Sequence, residues 1–350
     1  MGKVCTFRKG YGISKENLSS DGTPCILYGE LYTTYKTAIA KRIKSKTSLD
    51  PTTLFHSKKN DVIIPCSGET AEDIATSVCI PYDDILLGGD LTVIRSDLDG
   101  AFLSNQINSV RKYDIARIAQ GKSIVHLQAD ELKKISIAYP TIDEQQKISG
   151  FIDKIDERIE VQNKIISDLK VLKKELCRKI LSSITEYKTL GELCSITTGK
   201  LDANVNNPNG LYPFFTCGKD TLSIDNYAFD GEAILIAGNG DIGHTKYYYG
   251  KFNAYQRTYV LMGFKADAQF IKMGIDTYLP QKISEETQGG AMPYIKLSTL
   301  TSLKIPFTTE EKQLSIRNHY DTIVKKVENE TKILDLLLQQ KSYFLNAMFI

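Results

Sequence analysis

Residues 148–180 read ISGFIDKIDERIEVQNKIISDLKVLKKELCRKI, and residues 316–348 read IRNHYDTIVKKVENETKILDLLLQQKSYFLNAM. The two stretches carry one pattern at a fixed offset of 168, the difference between 316 and 148, and it extends back to 137–180 and 305–348. Ile148, Ile152, Ile155, Ile159, Ile166, Leu169, Leu176 and Ile180 answer to Ile316, Tyr320, Ile323, Val327, Leu334, Leu337, Phe344 and Met348. Two polar breaks match as well, Gln162 with Glu330 and Lys173 with Lys341. Alternation of four- and three-residue steps makes a heptad seam, which a helix needs when it lies against another helix. Unrelated surface helices have no reason to interrupt their apolar stripe at the same two places, so the chain reads as two copies of one unit. From Ile148 to Ile180 the seam spans roughly 50 Å at 1.5 Å per residue. Two such helices, each following a globular domain, are expected to pair antiparallel with the domains at opposite ends. The alternative is that each packs on its own domain.

The front of the unit repeats too. MGKVCTFRKG at 1–10 matches LGELCSITTG at 190–199 with an offset of 189, so the first copy carries 21 more residues (189 − 168) between Gly10 and Leu132. A frame that keeps register while the segment inside it changes length suggests two variable domains, not a solenoid of three or more short repeats. The expected segments are a domain at 1–140, a helix at 141–186, a domain at 187–308 and a helix at 309–350. The expected fold is α+β: two globular domains of short strands and helices, separated by two long helices pairing as an antiparallel coiled coil, with a pseudo-twofold internal repeat. Val62–Ile64, Leu91–Ile94, Ile135–Ala138 and Ala233–Ala237 read as strands between turn residues, and Leu103–Ala119 as helix. Thr141 with Glu144 forms a capping box for the first long helix, Thr309 opens the second, and residues 183–189 read as a polar link.

The chain has 350 residues, 42% apolar and 25% charged, which suits two ordinary cores. No apolar run is long enough to span a bilayer and the amino terminus has no signal-peptide form, so a cytoplasmic protein without membrane contact is expected. Seven scattered cysteines (Cys5, Cys25, Cys66, Cys79, Cys177, Cys194 and Cys217) with no CxxC read as reduced thiols and not metal ligands. The net charge is only +2, and residues 141–186 balance 9 basic against 9 acidic side chains. Lys36, Lys41, Arg42, Lys44 and Lys46 nevertheless crowd together with no acid among them, just after Tyr28, Tyr32 and Tyr35. That cluster reads either as a phosphate-contacting edge or as a solvated loop.

Gly238-Asn239-Gly240-Asp241-Ile242-Gly243 is a GxGxxG after an apolar strand. A dinucleotide or S-adenosylmethionine site needs a helix next, whose N-terminus meets the ligand. The segment that follows, with Tyr247, Tyr248, Tyr249, Tyr255 and Tyr259, reads instead as strand and hairpin. The glycines are then expected to admit another backbone. There is no Walker A run, HExxH or GxSxG. His56, His126, His244 and His319 make no metal spacing, and no carboxylate pair stands out as acid and base, so no catalytic residue and no metal site are expected.

Two variable domains, each followed by a matched long helix, resemble the specificity subunit of type I restriction–modification systems. ISIAYPTIDEQQKI at 135–148 and IDKIDERIEVQNKIISDLKVLKKEL at 152–176 look like that family's conserved region, and KIPFTTEEKQLSI at 304–316 resembles its second copy. LGELCSITTGK at 190–200 and MGKVCTFRKGYG at 1–12 look like the openings of its target-recognition domains. The chain departs from the pattern in beginning directly at the first opening strand, in lacking a clean Pro-x-x-Glu-Gln start to its second helix, and in having no closing tail after Ile350.

The resemblance implies a non-catalytic subunit that reads a bipartite site on double-stranded DNA. Each domain would read one half-site, and the helix pair would act as a ruler between them. That pair would dock two DNA methyltransferase subunits and, through them, restriction/translocase subunits. S-adenosylmethionine, ATP and Mg would be held by those partners and no cofactor by this chain. In the first domain Arg8, Lys9, Tyr11, Tyr32, Tyr35, Lys36, Lys41, Arg42, Lys44 and Lys46 are the candidate DNA contacts. In the second they are Lys200, Lys219, Asn239, His244, Lys246, Gln256 and Arg257. Gln pairs with adenine and Arg with guanine through two hydrogen bonds each, which singles out Gln256 and Arg257. Two rival readings stay open: a scaffold whose domains bind proteins or glycans on a coiled-coil rod, and an enzyme using the Gly238–Gly243 loop for a nucleotide.

Overall fold

The computed structural model describes residues 1–121, 124–286 and 294–349. The chain forms two compact units, Met1–Lys164 with Thr331–Ile350, and Ile165–Glu330. Their limits cut each long helix in mid-course, because each half of a helix packs with the unit beside it.

In the first unit, Cys5–Lys9, Leu91–Ser96, Asp61–Pro65 and Val78–Ile80 form an antiparallel sheet in that order. Asp61–Pro65 is buried throughout, which explains its unbroken apolar run. Its alternate side chains serve two cores. Val62 and Ile64 pack with Leu103 and Ile107, while Ile63 packs with Ile26 and Leu31. The wholly buried Asp61 carboxylate takes both Nε and Nη2 of Arg95 at 2.6 Å, as a buried charge requires. A second sheet orders Leu18–Ser19, Ser45–Thr47, Thr23–Ile26 and Leu86–Leu87. Helix was expected at Leu103–Ala119, and the structure has Gly100–Asn108 and Lys112–Ile118 there.

In the second unit, a six-stranded sheet orders Ser195–Thr198, Thr258–Met262, Phe229–Ala237, Thr245–Ala254, Tyr212–Phe215 and Thr221–Ile224. The helix Ala268–Glu286 covers it, with Ile271, Ile275 and Leu279 against Ile234, Ile236 and Leu261.

The long helices are Ile142–Ser182 and Glu310–Met348. The Glu144 carboxylate accepts from both N and Oγ1 of Thr141 at 3.1 and 2.8 Å, the expected cap. All fifteen apolar seam residues are buried or half-buried: Ile148, Ile152, Ile155, Ile159, Ile166, Leu169, Leu176, Ile180, Ile316, Ile323, Val327, Leu334, Leu337, Phe344 and Met348. Val161, Val171 and Leu336, which lie off the seam, are 57%, 60% and 63% exposed. Within the first unit Phe151 meets Phe344 edge-on at 4.9 Å, and Asp156 binds Lys341 at 2.5 Å. Within the second, the Lys173 ammonium lies 5.6 Å from the centre of the Tyr320 ring, and Cys177 and Leu181 cluster with Ile316 and Tyr320. Numbers rise on one helix as they fall on the other, so the helices pair antiparallel in both units. The matched polar breaks Lys173 and Lys341 each find a partner on the facing helix, one an aromatic face and the other a carboxylate.

A buried glutamine fixes each helix to its domain in the same way. Gln145 accepts from the Asp99 N–H at 2.9 Å and donates to Pro140 O at 2.9 Å. Gln313, 168 residues on, accepts from the Asp267 N–H at 3.0 Å and donates to Thr308 O at 2.6 Å. Asp99 and Asp267 in turn cap the following helices through the Phe102 and Phe270 N–H groups. The duplication seen in the seam is therefore repeated in these glutamine and aspartate bonds at the helix starts.

Two expectations fail. Tyr187–Thr189, read as part of a polar link, is a strand paired with Lys304–Pro306. Ile135–Ala138, read as a strand, is not one. Its counterpart in the second copy is a strand because Tyr187–Thr189 lies beside it. In the first copy the Met1 nitrogen bonds the Ile135 carbonyl as the Leu190 N–H bonds Leu303 O in the second, but among the described residues no strand lies beside Ile135–Ala138.

Candidate nucleic-acid interface

In the second unit four loops converge at one end of the six-stranded sheet. Gly238 N donates to Arg257 O at 2.9 Å, Gln256 N to Leu201 O at 2.9 Å, Asp241 N to Cys217 O at 3.1 Å and Tyr255 N to Phe215 O at 2.9 Å. All seven candidates of this domain fall here or on the first residues of the strand Thr245–Ala254. Lys200 and Lys219 are exposed, as are His244, Gln256 and Arg257, while Asn239 is half-buried. Lys246 is less available than its sequence suggests. Its ammonium donates to Asp220 O at 3.0 Å and Thr221 Oγ1 at 3.3 Å, and burial pulls its pKa below the ordinary lysine value. Partial burial, with the nearby Lys246 charge, also lowers His244, which favours its neutral form. The Gln256 amide donates to Asp202 Oδ1 at 2.9 Å. A cleft of about 320 Å³ lies between Gln256, Arg257, Thr198, Gly238, Tyr259 and Tyr294. Asp202, Thr198, Tyr259 and Tyr294 were not legible as site residues, since only the folding of separate loops brings them beside Arg257.

The GxGxxG lies at this end as a hairpin turn, between the antiparallel strands Phe229–Ala237 and Thr245–Ala254, with no helix after it. A side chain at Gly238 would sit 2.5 Å from Arg257 O, and Gly240 has φ +62°. The glycines are needed for backbone approach, and the geometry lacks the helix N-terminus a dinucleotide uses.

The first unit repeats the same hydrogen-bond frame. Cys66 N donates to Asp90 O at 2.7 Å as Gly238 N does to Arg257 O, and Leu127 N donates to Cys66 O as Ile295 N does to Gly238 O, each at 2.9 Å. Gly10 and Gly199 match as well: a Cβ at either would fall 2.3 and 1.9 Å from the carbonyls of Gly88 and Ala254. Arg8, Lys9 and Tyr11 lead into this corner and are exposed. Arg42, Lys44 and Lys46 are exposed while Ile43, Ser45 and Thr47 turn inward, the period-two pattern of an extended chain with one cationic face. Ser45 and Thr47 anchor that face by donating to Glu30 Oε1 at 2.8 Å and Asn17 O at 2.7 Å. Tyr32, half-buried, lies on the short helix Glu30–Thr33 nearby.

Three candidates of the first domain are placed otherwise. Tyr35 is 9% exposed in the core with Ile26 and Leu31, and its aromatic ring is what the core requires there. Lys41 binds Asp153 at 2.6 Å and Glu157 at 3.0 Å on the first long helix, so its charge is already matched. The Lys36 ammonium turns back to Tyr32 O at 3.1 Å.

Two domains on a duplicated frame of paired helices, each presenting a loop cluster with exposed cations, define a modular recognition protein. The family model for the type I restriction modification DNA specificity domain matches residues 1–171 and 184–339, and the chain belongs to that family. It is 38% identical over 165 residues to the type I restriction enzyme EcoDI specificity subunit of Escherichia coli, a match covering 47% of this chain and 37% of that protein. It is 25% identical over 286 residues to the MjaVIII specificity subunit of Methanocaldococcus jannaschii, covering 66% of this chain and 67% of that one. The chain thus spans well under half of the first of these relatives. The crystal structure of the type I restriction-modification S subunit from M. genitalium shares the fold, with a TM-score of 0.66, 19% identity, and coverage of 100% of this chain and 94% of that one. No helix of the described residues is long and apolar enough to cross a membrane.

Proposed function

We propose that this chain is the non-catalytic, cytoplasmic DNA-recognition subunit of a type I restriction–modification complex. In this reading each loop cluster reads one half of a split double-stranded site, and the helix pair docks two methyltransferase subunits, to which restriction subunits attach. The observation that carries it is the repeated hydrogen-bond frame, which presents two clusters of different loop sequence in one geometry. Such an arrangement suits a reader of two different half-sequences. In the first domain Arg42, Lys44 and Lys46, with Arg8, Lys9 and Tyr11, position the DNA backbone. In the second, Arg257 and Gln256 are the base readers, with Lys200 and Lys219 beside them and Asp202 holding the Gln256 amide until DNA displaces it. S-adenosylmethionine, ATP and Mg belong to the partners.

The test is to co-express the chain with the methyltransferase of its own locus, purify the complex, and sequence the methylome of a host that carries both. Methylation of a two-part motif that depends on this chain, altered in one half alone by Arg257→Ala, is the expected result. A complex that forms without any sequence-dependent DNA binding would overturn the proposal.

A further inference from the structure

None of the cations of the first domain stands where Arg257 stands in the second. The residue that does is Asp90, and the main chain fixes the correspondence at successive residues. Cys66 N donates to Asp90 O at 2.7 Å as Gly238 N does to Arg257 O at 2.9 Å. Gly10 N donates to Leu91 O at 3.0 Å, and Gly199 N to Thr258 O at 3.2 Å. Gly88 N donates to Ile26 O at 3.0 Å, and Tyr255 N to Phe215 O at 2.9 Å. Ile26 pairs with Leu87 and Phe215 with Ala254, both in parallel strands. Lys9 pairs with Thr92 and Thr198 with Tyr259, both in antiparallel strands. In every match the residue from 87–92 lies 167 before its counterpart, as 90 does before 257.

Around that position the two copies carry different chemistry. Arg257 shares its cleft with Thr198, Gly238, Tyr259 and Tyr294. The residues in the same places of the first copy are Lys9, Cys66, Thr92 and His126. Asp90 is exposed, and among the described residues its carboxylate has no hydrogen-bond or ion-pair partner. It holds φ +57°, a conformation that aspartate tolerates better than most side chains. Its charge and that of Lys9 both reach the Cys66 thiol, with opposite effect, so the two side chains flank one corner. An unpaired carboxylate at a DNA-facing corner is repelled by phosphate, and an amino group on a base edge offsets that cost. In the major groove guanine presents two acceptors, and thymine an acceptor with a methyl group, all of which a carboxylate rejects. Adenine presents a donor beside the N7 acceptor, so one carboxylate oxygen would meet a lone pair. Cytosine presents its N4 amino group with no acceptor beside it.

We propose that Asp90 is the specificity-determining residue of the first domain, accepting a hydrogen bond from the N4 amino group of a cytosine at the place where Arg257 takes a guanine in the second. The inference rests on the proposed DNA-reading function and deepens it, because it gives the first half-site a base and a residue that reads it. Lys9, on the same corner, holds the adjoining phosphate and offsets the repulsion that the acid brings.

The test uses the full chain in complex with the methyltransferase of its own locus. The probes are duplexes carrying the methylated motif, with each base pair of one half replaced in turn, and competition is read by fluorescence anisotropy. The half in question is the one that Arg257→Ala leaves unchanged. The wild-type complex is expected to lose roughly tenfold or more in affinity when one C·G pair there is replaced. Asp90→Asn suits the same φ and offers an amide that pairs with adenine, so it should abolish that loss and favour adenine at the position. Asp90→Gly should accept all four bases there. Neither variant should alter the second half or the urea midpoint of the chain. Asp84→Asn, at another exposed aspartate with φ +61° that pairs with His56, removes the same charge and should leave every position as it was. A first half without a required C·G pair overturns the proposal. So does an Asp90→Asn variant that discriminates as the wild type does, or that loses affinity equally at every position. Those results leave a two-part motif standing, and with it the DNA-reading function; a complex with no two-part motif removes both.

Discussion

Replacing Arg42, Lys44 and Lys46 together by alanine removes three cations from one face of an extended segment whose other face is anchored by Ser45 and Thr47. Each Lys or Arg that neutralises a DNA phosphate contributes about 0.9 to the slope of log K against log salt, so three contribute about 2.7. Between roughly 50 and 200 mM salt the wild-type complex should therefore lose about 40-fold more affinity than the triple variant, 4 raised to the power 2.7. Lys41 is the internal control. It belongs to the same basic run in the sequence, but its ammonium is bound to Asp153 and Glu157. Lys41→Ala should leave the slope within about 0.3 of wild type. Fluorescence anisotropy of a labelled duplex carrying the methylated motif, titrated with reconstituted complex at four salt concentrations, measures all three slopes. A triple variant with the wild-type slope would refute the assignment. So would a Lys41→Ala slope reduced by about 0.9, as an unpaired phosphate contact would give.

Gln145→Ala and Gln313→Ala should each destabilise the unit they anchor by roughly 2–4 kcal/mol, since each removes a buried side chain with two part-buried hydrogen bonds and leaves their partners unpaired. Urea unfolding with an unchanged m-value checks this, and costs below about 0.5 kcal/mol, as at an ordinary surface site, would contradict it. Glu144 is held below its ordinary 4.5 by the Thr141 hydroxyl and N–H, so its contribution is present above that pH and is lost as pH falls through the lowered value. Glu144→Gln should flatten the acid limb of the urea midpoint against pH and leave the neutral region alone. Burial pushes the Cys25 thiol to about 11 and Cys79 and Cys194 to about 12, so these thiols should resist iodoacetamide at pH 8 and react on unfolding in urea, read by mass spectrometry. Rapid labelling of any of the three in the native chain would show that its environment is open.

What the sequence showed best was the part of the molecule where side chains repeat a helical period. The seam residues are legible because a buried stripe leaves no alternative to apolar side chains at every third and fourth position, and Lys173 and Lys341 stood out against it. The GxGxxG was readable as a turn for a similar reason, since the tyrosine-rich text after it suits a strand. The loops are a different matter. Tyr35 and Tyr32 are three residues apart and look alike in sequence, yet one fills a core and the other lies near the surface. Lys41 and Arg42 are neighbours, yet Lys41 is spent on the first long helix while Arg42 is exposed. Partners such as Asp153 are more than a hundred residues distant, and no local pattern announces them. Ile135–Ala138 failed for the same physical reason, because strandness there depends on a neighbour and not on propensity.

The frame also explains how one architecture tolerates two unlike domains. The glutamine contacts that hold each domain to its helix use backbone groups on the domain side: the Asp99 and Asp267 N–H, and the carbonyls of Pro140 and Thr308. The loop clusters are likewise joined through main-chain bonds at Cys66, Leu127, Gly238 and Ile295. Backbone groups are the same whatever side chain they carry, so exposed loop residues can change, and 21 residues can be inserted, without disturbing the frame. The exceptions are glycines at the closest approaches, and Gly10 and Gly199 occupy matching places in the two copies for that reason. Recognition residues that contribute little to stability are free to vary, and a protein that must read many different sequences through one assembly requires that separation.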